Sequence, residues 1–212
     1  MTAAQPPPRP LWLRRSPDAW DADLLAAQWR EATPFPYLII DDLVAEERRA
    51  DLLEAIGEEP CTLLHDEIFE LLASAKTMEH AVLRSFQDEL GAPAMCALLG
   101  RITGKALRRI EMRAFAYEAG HYLLPHSDHQ DDVGRALAFA YYLDTPFAVE
   151  GGELELFRCD FADGEICATE PAFRIAPTAN RLVIFEVGDA SLHQVCEVTA
   201  GTRLSLSGWF YP

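Results

Sequence analysis

Basic side chains are scarce in this sequence: 18 against 34 acidic ones over 212 residues, a formal net charge of −16. That balance works against nucleic acid and polyanionic membrane surfaces, whose phosphates it repels rather than neutralises. Lysine is scarcer still, at two of the 18, which fits a GC-rich bacterial genome. No run of about 18 apolar residues exists, so no transmembrane helix is expected. The opening "MTAAQPPPRPLWLRRSPDAW" lacks the apolar stretch of a secretory signal, and its prolines predict a mobile arm. A disulfide framework is missing too. The five cysteines (Cys61, Cys96, Cys159, Cys167, Cys196) are odd in number and show no C-x-x-C spacing, which favours reduced thiols in the cytoplasm.

What is present is enough apolar material, half of the chain, for one good core. No internal repeat is visible. Residues 1–34 read as a proline-rich arm and a first helix, and 35–212 as a single domain, helical over 35–104 and strand-rich over 105–212. Ser16-Pro17 looks like the cap and first turn of a helix running through "DAWDADLLAAQWREA". A short strand, "PYLIIDDL", follows. "AEERRADLLEAI" then carries Leu52, Leu53 and Ile56 at helical spacing. Further helices are predicted over roughly 65–75, 78–91 and 92–103, with Gly91-Ala92-Pro93 breaking the last two apart.

After Gly104 come "RRIEMRAFAYEAG", "RALAFAYYLD", "GGELELF", "NRLVIFEV", "LHQVCEV" and "TRLSLSGWFYP", short segments rich in β-branched and aromatic residues. Helices followed by strands predict an α+β fold. We expect a jelly roll (a double-stranded β-helix) buttressed by the N-terminal helices.

"HYLLPHSDHQDDVG" holds two overlapping His-x-Asp patterns, His126-Ser127-Asp128 and His129-Gln130-Asp131. With six histidines and 34 acids in 212 residues, about one such pair arises by chance. Another is His65-Asp66-Glu67, at what looks like a helix start. Position must therefore arbitrate. On a strand, residues i and i+2 share a face, so either pair could bind one ion. His129 and Asp131 lie in a polar run of loop composition, whereas His126 follows a semi-apolar strand end, a more rigid platform. The first register is preferred. Two imidazoles and one carboxylate on one face of an octahedral ion make the site of mononuclear iron(II) oxygenases. The other histidine of the strand-rich half is His193, 65 residues beyond Asp128. Its plain alternative is a half-buried strand histidine.

Along the last strand Arg203, Ser205, Ser207 and Trp209 share one face and Leu204, Leu206 and Phe210 the other. An arginine in a polar stripe is usually solvated. In a strand covered on both faces it needs an anion, and a dicarboxylate would supply one.

From about Arg108 to Pro212 the sequence resembles the iron(II)/2-oxoglutarate-dependent dioxygenases of the prolyl 4-hydroxylase-like branch. The resemblance runs in order through Tyr117, Gly120-His121-Tyr122, His126-Ser127-Asp128, "AYYLD", "GGELELF", "NRLVIFE", His193, Arg203 and Trp209. It implies that His126, Asp128 and His193 bind Fe(II). It further implies that Arg203 pairs with the distal carboxylate of 2-oxoglutarate, assisted by Ser205 and Tyr142, with Tyr117 lining the same pocket. Ala138 and Ala140 share Tyr142's face and leave room for a bound molecule. Core packing is the plain alternative for both tyrosines. Arg135, Arg113 and Trp209 are implied to face substrate, while His121 and His129 receive no role and are taken as surface or loop residues. The implied reaction consumes O2 and 2-oxoglutarate, with ascorbate as a stimulant, and releases succinate and CO2 while hydroxylating an unactivated C–H bond. Halogenases of the superfamily carry Gly or Ala where Asp128 stands, so its carboxylate implies hydroxylation. The implied substrate is a prolyl residue in a peptide or protein, with a free amino acid or other small acid as runner-up. A non-catalytic cupin-like metal barrel and a zinc hydrolase are the competing classes.

Overall fold

A computed structural model describes residues 11–130, 132–145 and 148–212. Asp131 and most of the proline-rich arm lie outside the described residues. Pro17–Ala19 forms a 3-10 turn with proline in its first positions, and helix α1 starts afresh at Ala22–Glu31. The continuous helix expected from Ser16-Pro17 is thus two elements. Asp21 divides them, because its carboxylate accepts from the Leu24 N–H at 3.0 Å and caps a new helix. Strand β1 (Tyr37–Asp41) and helix α2 (Glu46–Glu58) follow, the helix burying Leu52, Ala55 and Ile56. Helices α3 (Ala81–Leu90) and α4 (Pro93–Thr103) are separated at the predicted break, and α4 ends on Gly104 at φ +74°.

The helix expected over 65–75 is instead a hairpin. Strand β2 (Cys61–Asp66) turns into β3 (Phe69–Ser74), and the two pair antiparallel along their length. Leucines crowd this stretch, and local propensity favours a helix. The strand prevails because β3 is also paired on its other side, by segments far along the chain. His65-Asp66-Glu67 therefore closes a hairpin, with His65 Nδ1 3.0 Å from Glu70 Oε2.

The remaining strands are β4 (Arg109–Tyr117), β5 (Tyr122–His126), β6 (Leu137–Tyr142), β7 (Glu150–Gly151), β8 (Leu154–Ala162), β9 (Glu165–Ile175), β10 (Arg181–Glu186), β11 (His193–Val195), β12 (Val198–Ala200) and β13 (Arg203–Tyr211). They form an antiparallel sheet ordered β1-β10-β6-β13-β4-β3-β5-β11-β8-β9, with β2 on β3 and a separate β7–β12 pair. The sheet curls into a jelly-roll half-barrel, so that β6, β10 and β13 face β5, β8 and β11 across one cavity. The stretch read as helical, 35–104, supplies β1, β2 and β3 to this sheet.

Alternation divides the two faces. Leu137, Phe139, Tyr141, Leu182, Ile184, Leu206 and Phe210 pack outward on the helices, against Leu52, Phe86, Leu90 and Leu98. Each such burial stabilises by about 1.5–3 kcal/mol. Ala138, Ala140, Tyr142, Val183 and Phe185 point inward, where Leu154 and Leu156 close the far wall. Asn180, at φ +61°, ties the layers together. Its amide accepts from Val44 N–H at 2.8 Å and from Tyr141 Oη at 3.0 Å, and donates to the Val44 carbonyl at 3.0 Å.

Candidate metal and co-substrate site

The cavity inside the half-barrel measures about 270 Å³. Three side chains converge on it: His126 at the end of β5, Asp128 two residues on, and His193 at the start of β11. One ligand atom from each lies within 4.8 Å of the others. His193 Nε2 is 3.6 Å from Asp128 Oδ2, and His126 Nε2 is 3.9 Å from Asp128 Oδ1. His126 Nδ1 sits 2.9 Å from the Leu124 carbonyl and His193 Nδ1 3.0 Å from that of Ser191. A carbonyl can only accept, so both protons are on Nδ1 and both Nε2 lone pairs point at the common centre. His193 is fully enclosed beside Phe185, their ring centroids 4.6 Å apart. Burial, opposed by the Asp128 charge, pushes its pKa down to about 4, so at neutral pH it is an uncharged ligand.

His129, of the competing register, turns away to pair with Asp189, and its partner Asp131 is outside the described residues. His121, expected at the surface or in a loop, is in a loop but buried at 7% exposure, with Nδ1 accepting from Glu118 N–H at 3.2 Å.

Deeper in the cavity lies Arg203, 3% exposed. Its guanidinium carbon is 4.8 Å from the ring centroids of both Tyr117 and Tyr142, and Nη1 donates to Ser205 Oγ at 3.4 Å. Among the described residues its Nε has no acceptor, and the Tyr142 hydroxyl has no partner either. Burial pushes the Tyr117 pKa up to about 12, so that phenol stays neutral. A buried cation beside an idle hydroxyl is a stable arrangement only when an anion completes it. Gly152, at φ +70°, allows this packing: a Cβ there would stand 2.9 Å from Arg203 Cδ.

Of the three arginine and tryptophan positions implied to face substrate, Arg113 and Trp209 line the cavity. Arg135 is not among its lining residues. It donates from Nη1 to the Asp128 carbonyl at 3.1 Å, approaches Asp128 Oδ1 at 3.7 Å and lies 3.8 Å over the Trp209 ring. Leu64, Phe69 and Leu71, from the β2–β3 hairpin, also line the cavity, beyond the residues expected from sequence. Alternation in "FELLAS" is a signal for them, hidden by its leucines. Ser127 is a further addition: its hydroxyl donates to the Gly188 carbonyl at 2.9 Å and ties the loop of Asp128 to the one that precedes His193.

Two imidazoles and one carboxylate with open directions suit Fe(II), and the orphaned Arg203–Tyr142 pair suits a carboxylate beside it. The comparisons with known proteins agree. A family model described as the 2OG-Fe(II) oxygenase superfamily matches residues 112–211. Prolyl 3-hydroxylase OGFOD1 of Mus musculus is 30% identical over 213 residues, covering 94% of this chain and 36% of that protein. Prolyl 3-hydroxylase sudestada1 of Drosophila melanogaster is 37% identical over 122 residues, covering 53% and 22%. The chain thus spans about a third or less of the length of these curated relatives. A Pseudomonas putida prolyl-4-hydroxylase structure superposes with a TM-score of 0.66 at 21% identity, covering 88% of this chain and 98% of that one, and shares the fold. The chain belongs to the 2OG-Fe(II) oxygenase superfamily and is similar to prolyl hydroxylases within it.

Proposed function

We propose that this chain is an Fe(II)- and 2-oxoglutarate-dependent dioxygenase that hydroxylates a prolyl residue of a peptide or protein. The observation that carries this is Arg203, buried without a counter-ion among the described residues, in one cavity with the His126–Asp128–His193 cluster. A bare metal-binding barrel has no need of that cation, and a zinc hydrolase has no need of a dicarboxylate pocket. The curated relatives are named prolyl 3-hydroxylases, so carbon 3 of the ring is the expected position. Five free thiols support a cytoplasmic setting, and scarce lysine a bacterial source.

In this reading His126, Asp128 and His193 hold the iron, and Arg203 receives the distal carboxylate of 2-oxoglutarate while the Tyr142 hydroxyl donates to it. Bound Fe(II), with 2-oxoglutarate and O2, supplies the oxidising power that inserts one oxygen atom into a C–H bond, leaving succinate and CO2. The chain's part is positional. The Leu124 and Ser191 carbonyls fix both imidazoles, Arg135 holds the Asp128 backbone and carboxylate, and Phe185 with Leu154 keeps water off the cluster. The test is a mass-spectrometric screen for products with one added oxygen atom, offering proline peptides and free amino acids side by side with iron, 2-oxoglutarate and ascorbate. An oxygenated proline peptide supports the reading. Turnover of free acids alone overturns it.

A further inference from the structure

Arg113 and Arg203 line the cavity and Arg135 stands against Asp128, and the last two already have a role in the proposed reaction. Arg113 has none. Its Nε donates to the Ser74 carbonyl at 2.8 Å and Nη2 shares that same acceptor. Its other neighbour is the Phe115 ring, with a centroid 5.6 Å away. Among the described residues it has no carboxylate partner, in a chain of 34 acids, and its partial desolvation is opposed by Cys61 alone, without overcoming it. The Ser74 carbonyl anchors one edge of the guanidinium at the cavity wall and leaves the rest of the fork to a ligand.

Its place in the sheet separates it from the co-substrate. Arg113 stands opposite Ser207 across β4–β13, whereas Tyr117 stands opposite Arg203. The two cations are four residues apart along the ladder, about 13 Å at ~3.3 Å per residue. The two guanidiniums thus start from well-separated points of the same wall. Trp209 lies two residues beyond Ser207 on the same face, diagonal to Arg113, and among the described residues its buried indole Nε1–H has no acceptor. One wall therefore presents two idle donors well away from Arg203. Formal charges agree: Fe(II), Asp128, Arg203 and doubly ionised 2-oxoglutarate together sum to zero in the cavity, so the Arg113 charge is left for the substrate to balance.

We propose that Arg113 binds a carboxylate of the substrate. Resting on the prolyl hydroxylase reading above, this means that the site selects a proline with an anionic group beside it. That group is either an Asp or Glu side chain next to the proline or the C-terminal carboxylate of a terminal proline. The acidic surface disfavours anions at long range, so the selection is made by short-range pairing inside the cavity.

The test is calorimetric binding to the Fe(II)- and 2-oxoglutarate-loaded protein without oxygen. Peptides share a proline core and carry Asp, Asn or Lys beside it, and a further pair ends in proline with a free or an amidated terminus. Carboxylate-bearing peptides should bind about tenfold or more tighter than their neutral partners, the size of a charged hydrogen bond. Preference confined to the Asp peptide, or to the free terminus, supports the proposal and names the source. Arg113→Gln should erase the preference while metal content and 2-oxoglutarate affinity stay unchanged, and Arg113→Glu should favour the Lys peptide. Thermal melting of each variant controls for the lost Ser74 bond. Equal binding across the charge series, or a preference that survives Arg113→Gln, overturns this inference and leaves the function intact. Binding of no proline peptide at all, with 2-oxoglutarate still bound, overturns the prolyl reading and this inference together.

Discussion

His193 lies directly opposite His126 in the antiparallel pairing of β11 with β5, their ring centroids 4.3 Å apart. Two ligands 67 residues apart in sequence are thus set face to face by a backbone ladder. Asp128 follows His126 on the same side. The backbone pairing thus brings these candidate ligands together, with both Nε2 atoms aimed at one point.

One Fe(II) should bind per chain, and Asp128→Ala or His193→Ala should abolish it. His129→Ala and Asp131→Ala should leave binding nearly intact, since His129 is committed to Asp189. Metal analysis of the purified variants decides this. Binding lost in the second pair and kept in the first would reverse the register.

Arg203→Ala should raise the 2-oxoglutarate concentration needed by orders of magnitude. Breaking one side of a buried charge pair costs about 3–5 kcal/mol, and about 1.4 kcal/mol is tenfold. Arg203→Lys should rescue little, because an ammonium cannot fill the fork between Tyr117 and Tyr142. Titration of 2-oxoglutarate into the iron-loaded variants measures it, and an unchanged requirement would place the carboxylate elsewhere.

Asn180→Ala should destabilise the fold by about 2–4 kcal/mol, because it orphans the buried Val44 N–H and carbonyl and puts alanine at a positive φ that asparagine tolerates better. Urea unfolding should show a lower midpoint with an unchanged slope. A loss under about 0.5 kcal/mol would mean that water replaces the amide.

Stability of the metal-free protein should fall as pH drops from about 6.5 to about 4. The folded pKa of His193 is depressed to about 4 by burial, so in this window the unfolded chain takes up a proton that the folded chain refuses. The loss amounts to about 3 kcal/mol at most, and levels off below pH 4 for this group. His193→Leu should flatten that slope in denaturant titrations run across the window. A variant with the wild-type slope would assign it to other groups.

Some of this molecule is legible in short-range pattern. The i, i+2 spacing of His126 and Asp128 becomes a shared face as soon as a strand is assumed, and the parity of β13 sends Arg203, Ser205 and Trp209 to one side. Helices α2, α3 and α4 follow from apolar spacing and from Gly91 and Pro93, because capping and amphipathicity are local. Other features depended on partners far away in the chain. "LLHDEIFELLAS" has leucines enough for a helix, and it is a hairpin because β4 and β5 pair with β3. Arg135 could be assigned to the site but not aimed, since its direction is set by the Trp209 ring and the Asp128 carbonyl, 74 and seven residues away. Periodicity decides which face a side chain takes. Only the register of one strand on another decides what it meets there, and that is why Arg113 and Arg135, alike in sequence, differ in the folded chain.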